Sequence, residues 1–521
     1  MEYDAGGVRI AELVATLSYA ADLGLGQPME HSLRQTVIAL RLADLAQAEP
    51  AEREATYYLG MLVSSYCHAD AAEQTKWFGD DISFKGDGFE VLAMSTPQMA
   101  AMLLRKLASH GTAAERVRRL AAFPVTGQRE IETWLTTHTK LSSEFAHRIG
   151  LGAGVSSALW QAYEQWDGKG PRHVQGAAIA LPARLMALAT TLEVIARRHG
   201  TESARKVARR HAGALYDPAL ADLFDEYAAV LVDGLDTAAT WDAILAAEPR
   251  LARRVSGAEL DQVLEAMADL VDLKSPYLAG HSRGVANLAA EAARLLGLPD
   301  EEVTTLRRAG LLHDLGRLGV SNAIWDKPGP LTDIERERAH LHPYLTDKML
   351  VRIAALSDSR EIAARHHERL DGSGYPRGLS APSLTLSDRI LAASDVYHAM
   401  TEPRPHRPAL SVDAAAKDLR AEVRSGRLDG DAANAVLRAA GHRAPARREG
   451  PGGLTVREVE VLALLARGLA NKEIARRLGI TPKTVSNHLE HVYTKLDVGS
   501  RAAATLYATQ HGLVGSFTVR R

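Results

Sequence analysis

His281, the pair His313-Asp314, His342, the pair His366-His367 and Asp395 stand in a fixed order through the second half of this 521-residue chain. All seven carry imidazole nitrogens or carboxylate oxygens, the donors that first-row transition metals prefer. Asp395 lies in the apolar run Ile390-Leu391-Ala392-Ala393-Ser394-Asp395-Val396. A carboxylate on such a mostly buried helix is costly unless it is paired or bound to a metal. Leu311 and Leu312 give His313 and Asp314 a similar setting. Neighbouring side chains on a helix point about 100° apart, so adjacent His-His and His-Asp pairs suit two metal ions better than chelation of one. Taken singly, a histidine on an apolar helix is more often a hydrogen-bonded core residue, and a buried aspartate usually pairs with an arginine or caps a helix. It is the ordered set that argues for a site.

The elements that must position this set are helices. Apolar residues recur at helical spacing, β-branched runs are few, and the composition is 46% hydrophobic and 24% charged, as in ordinary globular proteins. The length exceeds what one hydrophobic core organises and points to about three or four domains. A net charge of −2 argues against the whole chain being a polyanion binder, but positions 441–521 hold 13 Lys/Arg against 6 Asp/Glu. That surplus would attract phosphates. The single cysteine, Cys67, excludes an internal disulfide framework and fits a reducing cytoplasm. The start, MEYDAGGVRIAEL, has no basic segment followed by an apolar core, so no signal peptide is expected. The most apolar stretch, Ala177 to Ala196, is broken by Pro182, Arg184 and Glu193 and reads as a buried helix, not a membrane span. A cytoplasmic protein without membrane contact is expected.

The first half repeats the second. His31-Ser32 matches His281-Ser282 at an offset of 250 positions, and Gly60-Met61-Leu62 matches Gly310-Leu311-Leu312 at the same offset. Val63-Ser64 then falls where His313-Asp314 stands. At an offset of 204, Asp167-Gly168-Lys169-Gly170 matches Asp371-Gly372-Ser373-Gly374, and Glu164 matches Glu368. Ala162-Tyr163 there replaces His366-His367, while His138 stands opposite His342. One residue further out of phase, Thr190 falls opposite Asp395. The first copy thus keeps His31 and His138 and lacks five of the seven metal-type positions, which makes it a poor host for two metals. It reads as a structural duplicate, with a ligand-sensing or dimerising role as the alternative. His68 and Asp70 lie close enough in sequence to be considered as replacement ligands.

With Gly374-Tyr375-Pro376 following the double histidine, the set resembles the HD-GYP family of cyclic dinucleotide phosphodiesterases over about Glu259 to Asp413. The pieces are GHSRGVANLA, LLHDLGRLGV, HLHPYLTDKML, RHHERLDGSGYPRGL and RILAASDVYHAMTEPRPHRPALS. The resemblance implies two divalent transition-metal ions, Fe or Mn, bridged by Asp314. His281, His313 and Asp395 would complete one shell, and His342, His366 and His367 would belong mainly to the other. It also implies hydroxide attack on phosphorus at neutral pH, with Asp314 and Arg317 as the catalytic pair and Arg317 stabilising phosphoryl charge. Arg317, Tyr375, Arg404 and Arg407 would hold a nucleotide second messenger; cyclic di-GMP would give linear pGpG and then GMP. Three departures stand out. Arg317 replaces the lysine of many relatives and offers a fork in place of a point charge. Tyr277 stands where relatives with a third metal carry Glu, so two metals are expected. The family's DAxT-RPYR segment reads HAMTEPRPHR, with His398 for Asp and His406 for Tyr, which leaves substrate identity open.

The segment 441–453, GHRAPARREGPGG, reads as a linker. Beyond it, Asn471-KEIARRLG is a short helix ended by Gly479, and Thr481-Pro482 supplies an N-cap and a first-turn proline for the next helix. Val485, Leu489, Val492 and Leu496 make the buried face of that helix; Lys483, Thr484, Ser486, Asn487, His488 and His491 occupy its other faces. Leu454 to Val514 resembles the LuxR/FixJ-type helix-turn-helix module. The resemblance implies double-stranded DNA as a partner. Lys483, Thr484, Asn487 and His488 would enter the major groove, Lys472 and Arg501 would bind phosphates, and the last helix, from Ser500, would form a homodimer.

The expected organisation is an all-α chain. A degenerate HD-GYP-like domain (1–216) is followed by a helical connector (217–258), an HD-GYP domain (259–440), the linker and a helix-turn-helix domain (454–521). The expected function is a transcriptional regulator that hydrolyses or senses a cyclic dinucleotide. The alternatives are a non-catalytic nucleotide-binding regulator and a hydrolase of another phosphate ester.

Overall fold

The structure, a computed structural model, describes residues 7–94, 96–107, 109–235, 240–249, 253–441, 452 and 454–514. Of the expected linker, only Gly441 and Gly452 fall within the described residues. Of the described residues, 70% are helical. Among the described residues the one sheet pairs Val8–Arg9 with Arg254–Val255, antiparallel, with Val8 opposite Val255. The chain divides into two compact units, Met1–Leu260 and Asp261–Arg521.

The first unit is built on helices α1 (Ile10–Gly24), α2 (His31–Leu45), α3 (Pro50–Leu62) and α4 (Leu181–His199). The apolar stretch noted above lies in α4, where Leu185, Met186, Leu188 and Leu192 are fully buried. No described helix is long and apolar enough to cross a membrane. Buried His31 meets a carboxylate, with Nδ1 2.5 Å from Glu193, and His138 Nε2 lies 3.0 Å from Asp70. Cys67 also interacts with His138, but among the described residues of this unit no three ligand atoms lie within 4.8 Å of one another.

The second unit begins within α5 (Gly257–Asp272) and continues through α6 (His281–Leu295), α7 (Asp300–Leu312), α8 (His342–Leu350), α9 (Ser357–Ala363) and α10 (Leu386–Thr401). Val285, Ala289 and Ala293 of α6, Leu306 of α7 and Ile390 and Ala393 of α10 share one core. Small residues let the ligand-bearing helices approach closely. A Cβ on Gly310 would lie 2.6 Å from the Cα of Ala286, so α7 crosses α6 at a position only glycine fits.

Both units use the same local scaffold. Asp22 accepts hydrogen bonds from the Ser32 amide (3.1 Å) and hydroxyl (2.6 Å); Asp272 does the same for Ser282 (3.0 and 2.7 Å). Glu164 accepts from the amides of Arg172 and Val174, and Glu368 from those of Arg377 and Leu379. What differs between the copies is the set of side chains at the metal-type positions.

The last part of the second unit holds α11 (Val456–Ala466), α12 (Asn471–Leu478), α13 (Pro482–Leu496) and α14 (Arg501–Gln510). Thr455 and Glu458 form a reciprocal capping box at the start of α11. Helix α12 ends at Gly479 in the left-handed region (φ 66°), and the Thr481 hydroxyl accepts from the Thr484 amide to start α13. Val485, Leu489 and Val492 are buried, and Leu496 packs half-buried against them. Ala279, in the turn before α6, joins this core, while Thr509 and Val514 sit 3.7 Å from the Cβ position of Gly280. One face of α14, the helix expected to dimerise, is thus covered within this unit.

Candidate functional site

The same device positions three of the histidines. The last carbonyls of a helix have no partner within it. His313, His342 and His366 each follow such an end and donate Nδ1–H to the carbonyl three residues back: Gly310 (2.7 Å), Ala339 (2.6 Å) and Ala363 (2.6 Å). This fixes the tautomer and leaves the Nε2 lone pair pointing inward. His281, at the first position of α6, instead donates Nδ1–H to the Glu402 carboxylate at 2.8 Å.

Asp314 lies at the centre. Its Oδ2 faces His313 Nε2 (3.3 Å) and His281 Nε2 (3.6 Å), and its Oδ1 faces His342 Nε2 (3.5 Å) and His366 Nε2 (3.7 Å). Asp395 Oδ1 is 3.3 Å from His281, and its Oδ2 is 3.7 Å from His367 Nδ1. The structure therefore brings all seven residues together. His281, His313 and Asp395 form one close group, His342, His366 and His367 another, and His313, Asp314 and His366 a third between them.

The donor chemistry fits divalent ions. His281 Nε2, His313 Nε2 and Asp314 Oδ1 are buried without a hydrogen-bond partner. The Nε2 atoms of His342 and His366, both acceptors once Nδ1 carries the proton, face each other at 3.2 Å. Lone pairs at that separation repel unless a cation lies between them. Burial pushes His342 down to about 4 and holds His366 and His367 well below the usual histidine range, keeping them in the neutral, ligating form. Burial would raise the two carboxyls. Arg317 and His313 nevertheless hold Asp314, and the neighbouring His281 and His367 imidazoles hold Asp395, well below the carboxylate range.

Arg317 places Nε 2.6 Å from Asp314 Oδ2, and its guanidinium lies 4.6 Å over the Trp325 ring. Tyr375 stacks on His340 with centroids 3.7 Å apart and lies 4.6 Å from the His367 ring. Arg404 and Arg407 are turned to other partners. Arg404 donates to Glu402 (3.0 Å), and Arg407 donates to the carbonyls of Ala399 (2.6 Å) and Met400 (3.1 Å) at the end of α10.

In the C-terminal domain, Lys472, Lys483 and Asn487 are exposed, and Thr484 and His488 half-buried. Arg501 donates to the carbonyls of Leu465 (3.2 Å) and Leu469 (2.7 Å), closing the turn between α11 and α12.

Three residues around the cluster were not singled out by the sequence. Glu402 orients His281, Trp325 backs Arg317 and stands edge-on to His342, and Thr346 bridges the His313 carbonyl and the Gly316 amide. Glu402 sits inside the divergent HAMTEPRPHR segment, whose spacing gives no sign of its partner. The other two carry no spacing signal.

Residues 265–432 match the HD domain family, and residues 453–508 match the bacterial regulatory proteins of the luxR family. The chain thus carries an HD domain followed by a luxR-family helix-turn-helix domain. Among curated proteins it is similar to 3'3'-cGAMP-specific phosphodiesterase 3 of Vibrio cholerae, with 29% identity over 78% of this chain and 89% of the relative. It is also similar to 3'3'-cGAMP-specific phosphodiesterase 1 of the same organism (37% identity over 37% of this chain and 45% of the relative). A third relative is the cyclic di-GMP phosphodiesterase response regulator RpfG of Xanthomonas campestris (34% identity over 34% of this chain and 47% of the relative). The chain spans less than half the length of these last two. Among solved structures, the cyclic GMP-AMP specific phosphodiesterase V-cGAP3 of V. cholerae superposes with a TM-score of 0.57 and 25% identity, over 84% of this chain and 98% of that one.

Proposed function

We propose that this protein is a metal-dependent phosphodiesterase of cyclic dinucleotides that also binds double-stranded DNA, so that nucleotide turnover or occupancy governs transcription. The observation that carries the first half is Asp314, whose two oxygens each face a different group of histidines. His281, His313, Asp314 and Asp395 would hold one ion, and Asp314, His342, His366 and His367 the other, with Fe or Mn the expected metals. When bound, the ions supply Lewis acidity and lower the pKa of water to near neutrality. The protein's own groups do the rest. The Nδ1–H bonds to carbonyls and to Glu402 keep the imidazoles aimed, and Arg317, braced on Trp325, sets a guanidinium beside the cluster where phosphoryl charge develops. Tyr375, on the loop tied down by Glu368, lies 4.6 Å from the His367 ring and is suited to stack on a base. Arg404 and Arg407 shape the loop after α10, Arg404 through Glu402, the partner of His281.

The DNA-reading half rests on α13, whose N-terminal residues Lys483, Thr484, Asn487 and His488 are candidates for base edges and whose neighbour Lys472 is a candidate for phosphate. Arg501 would act there by holding the turn before α12. Two copies on two half-sites would form the homodimeric complex, in the cytoplasm where both ligands are found. The relative that matches most of this chain is by name specific for 3'3'-cGAMP, so the decisive assay compares 3'3'-cGAMP with cyclic di-GMP in single-turnover reactions. Metal-dependent cleavage of either, lost in Asp314→Ala, is expected. Equal cleavage by parent and variant would remove the reading.

A further inference from the structure

We infer that the cleft between the HD domain and the helix-turn-helix domain is a second, non-catalytic nucleotide site that takes a nucleoside monophosphate. It goes beyond the hydrolytic reading and does not depend on it. The cleft encloses about 1290 Å³, more than most small-molecule pockets, and lies entirely within the second unit. One wall is the turn Pro276–Gly280 with the loop Glu402–Ala409, and the other is the end of α11 with α12. None of the seven metal-type residues lines it. His281 separates the two sites: its Nε2 faces Asp314, and its Nδ1 faces Glu402 on the cleft side.

Its lining carries a surplus of positive charge, even with Arg283 paired to Glu265 and Asp269. Six arginines line the cleft against two glutamates, and both glutamates are engaged, Glu402 by His281 and Arg404 and Glu473 by the Ala470 amide. The arginines crowd one another. After burial, Arg404 is the next cause that lowers Arg407, and Arg477 is the next cause that lowers Arg467. Crowded guanidiniums favour an anion between them, and arginine forks match phosphate oxygens. Arg467 is held by the Val514 carbonyl, whereas Arg476 and Arg477 are exposed and have no partner among the described residues. They supply the phosphate contacts. Half-buried Tyr277, between Pro276 and the Gly468 turn, offers a flat ring for a base. Duplex DNA presents its phosphates on a convex surface and does not enter a cleft walled on both sides. A nucleotide does, and once seated it touches both domains.

The test uses the full chain and GMP as the probe. Calorimetric titration is carried out on Asp314→Ala protein, so that binding is read apart from turnover at the metal cluster. One GMP per chain is expected, with guanosine binding about tenfold or more weakly because the phosphate contacts are missing. The substitution Arg476→Ala/Arg477→Ala, at exposed positions, should weaken GMP by about tenfold or more at an unchanged Tm. Absence of saturable GMP binding, or equal affinity in the arginine variant, overturns the inference. So does an arginine variant that loses only salt-sensitive DNA binding, which would assign these side chains to the DNA backbone. A protein that binds GMP here yet cleaves no cyclic dinucleotide would uphold the second site and sink only the hydrolytic reading.

Discussion

Asp314 is the residue on which the site turns, because removing it leaves two groups of histidines with no shared anion. Asp314→Ala should lose bound metal as well as cleavage, which metal analysis of the purified protein will read directly. Glu402 acts one layer out, through His281. Partners of this kind change metal affinity or activity by about 10- to 100-fold when removed, so Glu402→Gln should weaken metal retention to that extent and Glu402→Asp should recover part of it. Competition with a chelator is the measurement. The seven metal-type residues could be picked from their types and order alone. Glu402 could not, because its partner lies 121 positions away in sequence and a single glutamate near arginines reads as a solvated charge.

At the level of elements, helix ends and glycine crossings set the geometry. Three helix termini offer their free carbonyls to the histidines that follow them, so the backbone itself orients the imidazoles. The approach of α7 to α6 requires Gly310. Gly310→Ala must displace Ala286 and should cost about 1–3 kcal/mol by overpacking, seen in denaturant unfolding, with metal content falling alongside. In the helix-turn-helix domain, Glu458 caps α11 and accepts from Lys495 at 2.6 Å. Burial would raise its carboxyl, but Lys495 and the Thr455 amide hold it down to about 2, against an ordinary value of 4.5. A depressed carboxyl stabilises the fold above its unfolded value, and that contribution is lost as pH falls from about 4.5 towards 2. Glu458→Gln should therefore flatten the acid limb of local stability, read by amide exchange in α11. The Thr481-Pro482 start was legible in the sequence because it is local. The glycine crossing was visible only as the repeated Gly60 and Gly310, without its reason.

Across the whole molecule, the two proposed activities should separate cleanly. Lys483→Ala/His488→Ala should abolish a specific footprint while leaving cyclic dinucleotide cleavage intact, and parental DNA binding should fall steeply with salt as counterions are released. Helical class, the repeat with its erased first copy and the ordered ligand set were all fixed by residue type and spacing, because periodicity and motif order are local properties. The spatial partition of ligands around Asp314, the commitment of Arg404, Arg407 and Arg501 to backbone and carboxylate partners, and the burial of one α14 face were decided by tertiary structure. The ligand partition and the Arg501 bonds join residues tens to hundreds of positions apart, whereas Arg404 and Arg407 meet those partners within ten positions through the turn that follows α10. Which of several donors and acceptors a long, flexible arginine meets is set by packing, and no spacing rule in the sequence encodes it.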